Sequence, residues 1–190
     1  IVLTTHSPYF VSSKGYESIR LIRIPTGCPS TTVSATTYEA LSKTLAEALG
    51  ETPSTRSELI AAVEQVMHPS QNEMFFCKLP ILVEGPEDVA LVASWLHRNN
   101  HWSEFRRLGC HFIVCEGKTN MSRPLAIANL LSLPAFILFD GDCDKAKGDQ
   151  EKVIIRDNTC LLALAGEKSE PIINACYFGS RLVMWKTRIM

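Results

Sequence analysis

The sequence predicts an α/β protein built on a parallel sheet. Two short apolar runs each end in carboxylates: Ile81-Leu82-Val83-Glu84-Gly85-Pro86-Glu87-Asp88 and Phe136-Ile137-Leu138-Phe139-Asp140-Gly141-Asp142-Cys143-Asp144. Such runs suit strands buried on both faces, and the stretches between them carry helical spacing. The resulting β-α-β-α-β order is that of right-handed crossovers, in which both sets of carboxylates emerge at the carboxyl edge of one sheet, where open α/β folds hold their ligands.

Taken in order, residues 1 to 5 suggest a buried strand ending in the turn His6-Ser7-Pro8, and residues 19 to 24 alternate like a second strand. Residues 25 to 37, rich in Thr, Ser, Pro and Gly, mark a linker or loop. Helical spacing over 38–49 and 56–67, interrupted at 50–55, predicts a helical arm. The division is thus 1–24, a strand segment; 25–71, linker and arm; and 72–190, the main domain. In the main domain Met74-Phe75-Phe76 leads into a strand at 80–84. A helix at 87–99 follows, with Val89, Leu91, Val92, Trp95 and Leu96 on its apolar face and Pro86 in its first turn. Next come a strand at 111–115, the loop Glu116-Gly117-Lys118-Thr119, a helix at 121–132 and a strand at 135–139. A polar stretch, a helix at 150–165 closed by Gly166, and a strand at Leu182-Val183-Met184-Trp185 complete the pattern.

With 190 residues, 46% of them apolar, the chain can bury one core of about 100 to 150 residues. Nineteen basic residues against twenty acidic ones leave a formal charge of -1, so no overall positive field announces a nucleic-acid binder, although a local basic strip and bound cations can serve instead. The seven cysteines (Cys28, Cys77, Cys110, Cys115, Cys143, Cys160 and Cys176) lack zinc or redox spacing and read as reduced core thiols of a cytoplasmic protein. No apolar stretch reaches the ~20 residues of a membrane span. The chain opens on Ile1 with no leader and reads as part of something longer. His68, His97, His101 and His111 have no zinc-like spacing, and the Trp and Phe residues fall mostly on apolar faces, as core.

Clustered carboxylates repel one another until something neutralises them. A hard divalent cation with oxygen ligands does so best, which points to Mg2+ or Mn2+ and to phosphate chemistry. A Glu ending the first strand, followed two strands later by Asp-x-Asp, resembles the TOPRIM domain of topoisomerases, primases and several nucleases. The surrounding Asn72-Glu73-Met74-Phe75-Phe76, Gly117-Lys118 and Phe139-Asp140-Gly141-Asp142 resemble the OLD (overcoming lysogenization defect) nucleases. In that family an ABC-type ATPase domain precedes TOPRIM. Leu3-Thr4-Thr5-His6-Ser7-Pro8 is similar to the end of such an ATPase, where the His senses the nucleotide's terminal phosphate.

The resemblance implies a metal-dependent DNA endonuclease or nickase within an ATPase-nuclease that forms homo-oligomers through its ATPase side and serves phage defence or DNA processing. ATP belongs to the intact parent only, since no phosphate-binding loop lies upstream of His6. Two-metal hydrolysis assigns metal binding to Glu84, Asp140 and Asp142, with Glu84 alternatively the general base, and Asp88, one turn beyond Glu84, completing the first site. Alternatively Glu87 and Asp88 simply occupy a helix N-terminus, where carboxylates favour the dipole, and this suits Glu87 best. Lys118 is either a contact to the scissile phosphate or a solvated loop lysine, and Lys186 either stabilises the transition state or is a surface lysine. Asp144 is an outer ligand or a solvated charge, while Glu167 and Glu170 either reach a second metal or face solvent. The residues after the last strand, Lys186 to Met190, carry no carboxylate for that metal. Strand passage fits poorly, because Tyr9, Tyr16, Tyr38 and Tyr177 lie in no helix-turn-helix-like context. The competing reading is a degenerate domain that binds metal or a partner and regulates an ATPase.

Overall fold

The computed structural model describes residues 2–24, 27 and 29–187. The chain begins with 3-10 turns at Pro8–Phe10 and Ser13–Ser18, then a small antiparallel hairpin of β1 (Leu21–Arg23) and β2 (Thr32–Ser34). Helices α1 (Tyr38–Leu49) and α2 (Arg56–Val66) follow, and each starts where a threonine caps it. The Thr37 side chain accepts from the Ala40 amide at 3.1 Å, and Thr55 forms a reciprocal capping box with Glu58. Gly50, at φ 66°, ends α1 in the left-handed conformation that glycine adopts without strain. A single turn, α3 (Pro69–Asn72), leads to β3 (Leu79–Val83), α4 (Pro86–Arg98), α5 (Trp102–Arg107), β4 (Cys110–Val114), α6 (Ser122–Leu130), β5 (Phe136–Asp140), α7 (Asp149–Ala165), β6 (Tyr177–Phe178) and β7 (Leu182–Trp185).

Five strands form one sheet in the order β4-β3-β5-β7-β6, parallel except for β6 against β7. The chain leaves β3 to lay β4 on one side and then crosses back to lay β5 on the other. The order therefore reverses at the β3/β5 boundary, whose carboxyl ends are Glu84 and Asp140. Alternation sorts the side chains. Leu82, Ile113, Ile137, Phe139, Leu182 and Met184 point into the main core with residues of α1, α6 and α7. Each such buried aliphatic or aromatic side chain contributes about 1.5–3 kcal/mol. The opposite face receives α4 and α5, which cover it incompletely: Asp88 is the sole buried residue of α4, and Leu91 and Trp95 are 41% and 57% exposed.

Several expectations change. Residues 2–5 form no strand, and Val2 and Leu3 lie open to solvent, because no strand among the described residues pairs with them; Ile1 lies outside the described residues. The strand expected at 19–24 shortens to β1, and its partner β2 arises inside the stretch expected as a linker, of which Pro25, Thr26 and Cys28 lie outside the described residues. The helical pair does not stand off as an arm, since α1 packs on both α6 and α7 and is part of the helical layer. Arg56 ties α2 back to Glu17 and to Glu39, the latter at 2.7 Å. Not all aromatic residues are core: Trp95 stacks on His101, and His97, Trp102, Phe105 and Phe112 form a ladder of parallel rings along α5, a helix whose six residues are too few to announce themselves by period. Burial pushes the Cys115 thiol up to about 12 and those of Cys77 and Cys160 to about 11, as befits packed thiols. Among the described residues no helix is long and apolar enough to cross a membrane.

Candidate metal centre

At the carboxyl edge, three loops converge. The first is the β3–α4 turn. Gly85 is the N-cap of α4, and the Asp88 carboxylate reaches back to accept from the Gly85 amide at 2.9 Å. This places Asp88 at the helix N-terminus, the position weighed for it as an alternative to metal binding. Asp88 is nevertheless close enough to Asp140 for its charge to raise the pKa of that residue. Glu87 is exposed on the same first turn.

The second is the β5 end. The Glu84 Oε1 accepts from the Asp140 amide at 2.7 Å, so one carboxylate organises the backbone that carries the next. Gly141 then donates to the Trp185 carbonyl at 2.6 Å, and Cys143 donates to the Lys186 carbonyl at 3.2 Å. A Cβ at Gly141 would stand 2.8 Å from that Trp185 carbonyl, so this close approach to β7 requires glycine. Asn158, fully buried on α7, donates to the Gly141 carbonyl at 2.9 Å and to the Pro171 carbonyl at 2.7 Å. Asp142 follows in a left-handed conformation, φ 52°.

The third is the β4–α6 loop. Glu116 and Gly117 both take positive φ, and the turn swings Lys118 inward until it is 8% exposed. Its ammonium donates to Asp142 Oδ2 at 2.6 Å and to the Asp140 carbonyl at 2.7 Å. Lys145 takes the other oxygen of Asp142. Next to Lys118, Thr119 donates to the Asp157 carboxylate of α7 at 2.7 Å. The solvated alternative for Lys118 therefore does not hold.

The electrostatics follow from this crowding. Burial pushes Glu84 up to about 7, with the Asp140 amide and Lys118 opposing and the charges of Asp140 and Asp142 adding. Burial, with the charges of Asp88 and Asp142, pushes Asp140 up to about 6. Burial also acts to raise Asp142, but the two lysines overrule it and hold that carboxyl below its usual range. Asp140 Oδ1 is buried with no hydrogen-bond partner.

The residues fit a hard divalent cation: the donors are carboxylate oxygens, one is a buried orphan, and two carboxyls are held at raised pKa by burial and by one another's charge. In the present side-chain arrangement no group of three acidic, His or Cys residues surrounds a single point among the described residues. Both oxygens of Asp142 are engaged by ammonium groups.

Other anticipated residues lie elsewhere or at the rim. The Lys186 side chain is exposed, although its backbone borders the Asp142 loop; Arg188, Ile189 and Met190 lie outside the described residues. Asp144 is exposed and helps raise the Lys145 pKa. Glu167 cannot reach the edge. It accepts from the Ser180 amide at 2.6 Å, the Ser180 hydroxyl at 2.8 Å and the Tyr177 hydroxyl at 2.9 Å, just before β7 begins and hence at the opposite end of the sheet. Glu170 is exposed. His6 is exposed and lines a groove with Phe75 to Lys78, which precede β3, so it too lies away from the acidic edge. Asn158, Lys145 and Thr119 are the positioning groups that sequence reasoning missed. Asn158 alone left a trace, a polar residue in the apolar row Ile154, Leu161, Ala165.

Residues 75–142 match the family model described as Overcoming lysogenization defect protein-like, TOPRIM domain. The match spans a little over a third of the chain and takes in Glu84, Asp88, Lys118, Asp140 and Asp142, but neither Lys186 nor His6. The mixed, mostly parallel sheet agrees with the Rossmann-like fold of TOPRIM domains, and the match points to a divalent-metal-binding, nucleic-acid-processing role. Comparison with curated proteins gives no match.

Proposed function

We propose that the acidic edge is the active site of a Mg2+- or Mn2+-dependent DNA endonuclease or nickase, the nuclease part of an OLD-like ATPase-nuclease. The observation that carries this reading is the buried, unpartnered Asp140 Oδ1 beside a Glu84 carboxyl poised near neutrality. Divalent cations would supply a water ionised near neutral pH and charge stabilisation for the leaving oxygen. Asp140 and Glu84 would hold them, with Asp142 joining once Lys118 or Lys145 yields an oxygen. Asp88 caps α4 and adds negative charge. Glu84, with a carboxyl poised near 7, is also suited to take a proton from the attacking water. Lys118, released from Asp142, is placed to meet the scissile phosphate, and Lys186 to approach it from the rim. His6 as a nucleotide sensor, ATP use, homo-oligomerisation, phage defence and a cytoplasmic location belong to this same proposal for the longer protein.

The test is incubation of supercoiled plasmid with the chain and Mg2+ or Mn2+. Nicking that disappears in both Asp140→Ala and Glu84→Ala supports the reading. The engagement of Asp142 by two lysines favours a second one, a degenerate domain that regulates an ATPase. Metal binding without any cleavage supports that alternative and overturns the first.

A further inference from the structure

A cavity of about 210 Å³ lies between the α1–α2 pair and helices α6 and α7, directly behind Lys118. Its charged lining can be accounted for group by group. Glu51 pairs with Arg156 at 2.9 Å, and Glu58 is consumed in the capping box at Thr55. Asp157 accepts from Thr119 and stands 3.9 Å from Arg156, and Lys118 is bound to Asp142. The exception is Arg123, in the first turn of α6. It is half-buried, and its guanidinium has neither a hydrogen-bond acceptor nor an ion-pair partner among the described residues. Burial, and then the charge of nearby Arg156, push its pKa down.

A partly desolvated cation facing a second cation is costly unless an anion joins them. Two guanidinium groups favour the planar, forked recognition that phosphate oxygens satisfy. Lys118 and Thr119 form the wall between the cavity and the acidic edge. We infer that the cavity is a phosphate-binding subsite, in which the unpartnered Arg123 takes a backbone phosphate of a nucleic-acid strand next to the one presented to Asp140 and Asp142, and Arg156 joins it by exchanging Glu51 for the phosphate. The strand, as opposed to the phosphate, rests on the nuclease reading above.

The test titrates the whole chain, in EDTA, with inorganic phosphate and with a 5'-phosphorylated tetranucleotide, for wild type, Arg123→Gln, Arg123→Lys and the exposed-surface control Arg98→Gln. The expected result is tighter binding of the tetranucleotide than of inorganic phosphate, weakened about tenfold or more in Arg123→Gln, less in Arg123→Lys and not at all in Arg98→Gln. Unliganded Arg123→Gln should melt at or above the wild-type temperature, because the cation it removes has no partner. Equal tetranucleotide affinity in wild type and Arg123→Gln, or a lower unliganded melting temperature, overturns the inference. Arg123-dependent binding of phosphate with no gain for the tetranucleotide overturns the strand assignment. Since among the described residues Arg123 makes no hydrogen bond or ion pair to the metal-binding carboxylates, Asp140→Ala separates the two proposals: it should abolish nicking and leave Arg123-dependent binding intact.

Discussion

Replacing Glu84 by Gln should stabilise the metal-free chain at pH 8 and do little at pH 4. In the folded protein burial holds this carboxyl at about 7, against the ordinary 4.5. Above both values the carboxylate is ionised in either state, and the folded state bears the whole penalty, about 3 kcal/mol at about 1.4 kcal/mol per pH unit. The folded form binds a proton more tightly than the unfolded chain, so wild-type stability falls as pH rises from 4.5 to 7 and is level beyond. Gln keeps an oxygen to accept the Asp140 amide, which preserves the loop while removing the charge. The gain should therefore be about 3 kcal/mol at pH 8 and under about 1 kcal/mol at pH 5. Urea unfolding in EDTA across pH 4 to 8, followed by circular dichroism, measures it. Saturating Mg2+ should close the gap at pH 8 by stabilising wild type more than the variant. Wild-type and Glu84→Gln stability curves that run parallel from pH 4 to 8 would show that the carboxyl is not strained by burial, and the electrostatic case for a cation at this edge would go with it.

Asp142→Ala should cost about 3 kcal/mol or more in urea unfolding at pH 7, because it removes the carboxylate paired with the buried Lys118 ammonium, leaving it the Asp140 carbonyl, and places alanine at a positive φ; Lys118→Met should cost less, since Lys145 still pairs with Asp142. Gly141→Ala forces β5 and β7 apart at the Trp185 carbonyl, with an expected loss of about 1–3 kcal/mol and of metal-dependent nicking; a variant that nicks normally refutes the role given to this close approach. Glu167→Gln should speed hydrogen exchange at the Ser180 amide yet leave metal affinity, measured by calorimetry, unchanged, and a drop in that affinity would contradict its placement at the far end of the sheet.

The parallel sheet was legible because its central strands are apolar runs cut off by Glu-Gly and Asp-Gly, and β3, β5 and β7 fall within one residue of the expected spans. That Glu84, Asp140 and Asp142 lie at one edge of the sheet follows from parallel strand direction. The placement of Glu167 was also open to reasoning: a segment that directly follows a crossover helix returns to the amino edge, away from the strand-end acids. What could not be read was the side-chain traffic between loops. A lysine in a Gly-Lys loop looks solvated until a pair of positive-φ residues, Glu116 and Gly117, turns it inward. The pairings of Asp142 with Lys118 and Lys145, and the hold of Asn158 on Gly141, depend on distances that only the folded backbone sets. The short elements α5, β2 and β6 carry too few residues for a period to emerge.

Helix α4 has a consequence beyond its own packing. Its outer turns are only partly buried, and Asp88, its sole buried residue, caps the first turn with its charge beside Asp140. The charge of Asp88 is one of those that raise the pKa of Asp140, so a cation that neutralises the acids would relieve a repulsion at the first turn of this helix. Amide protection at the start of α4, where Asp88 holds the Gly85 amide, thus becomes a gauge of whether that repulsion is relieved.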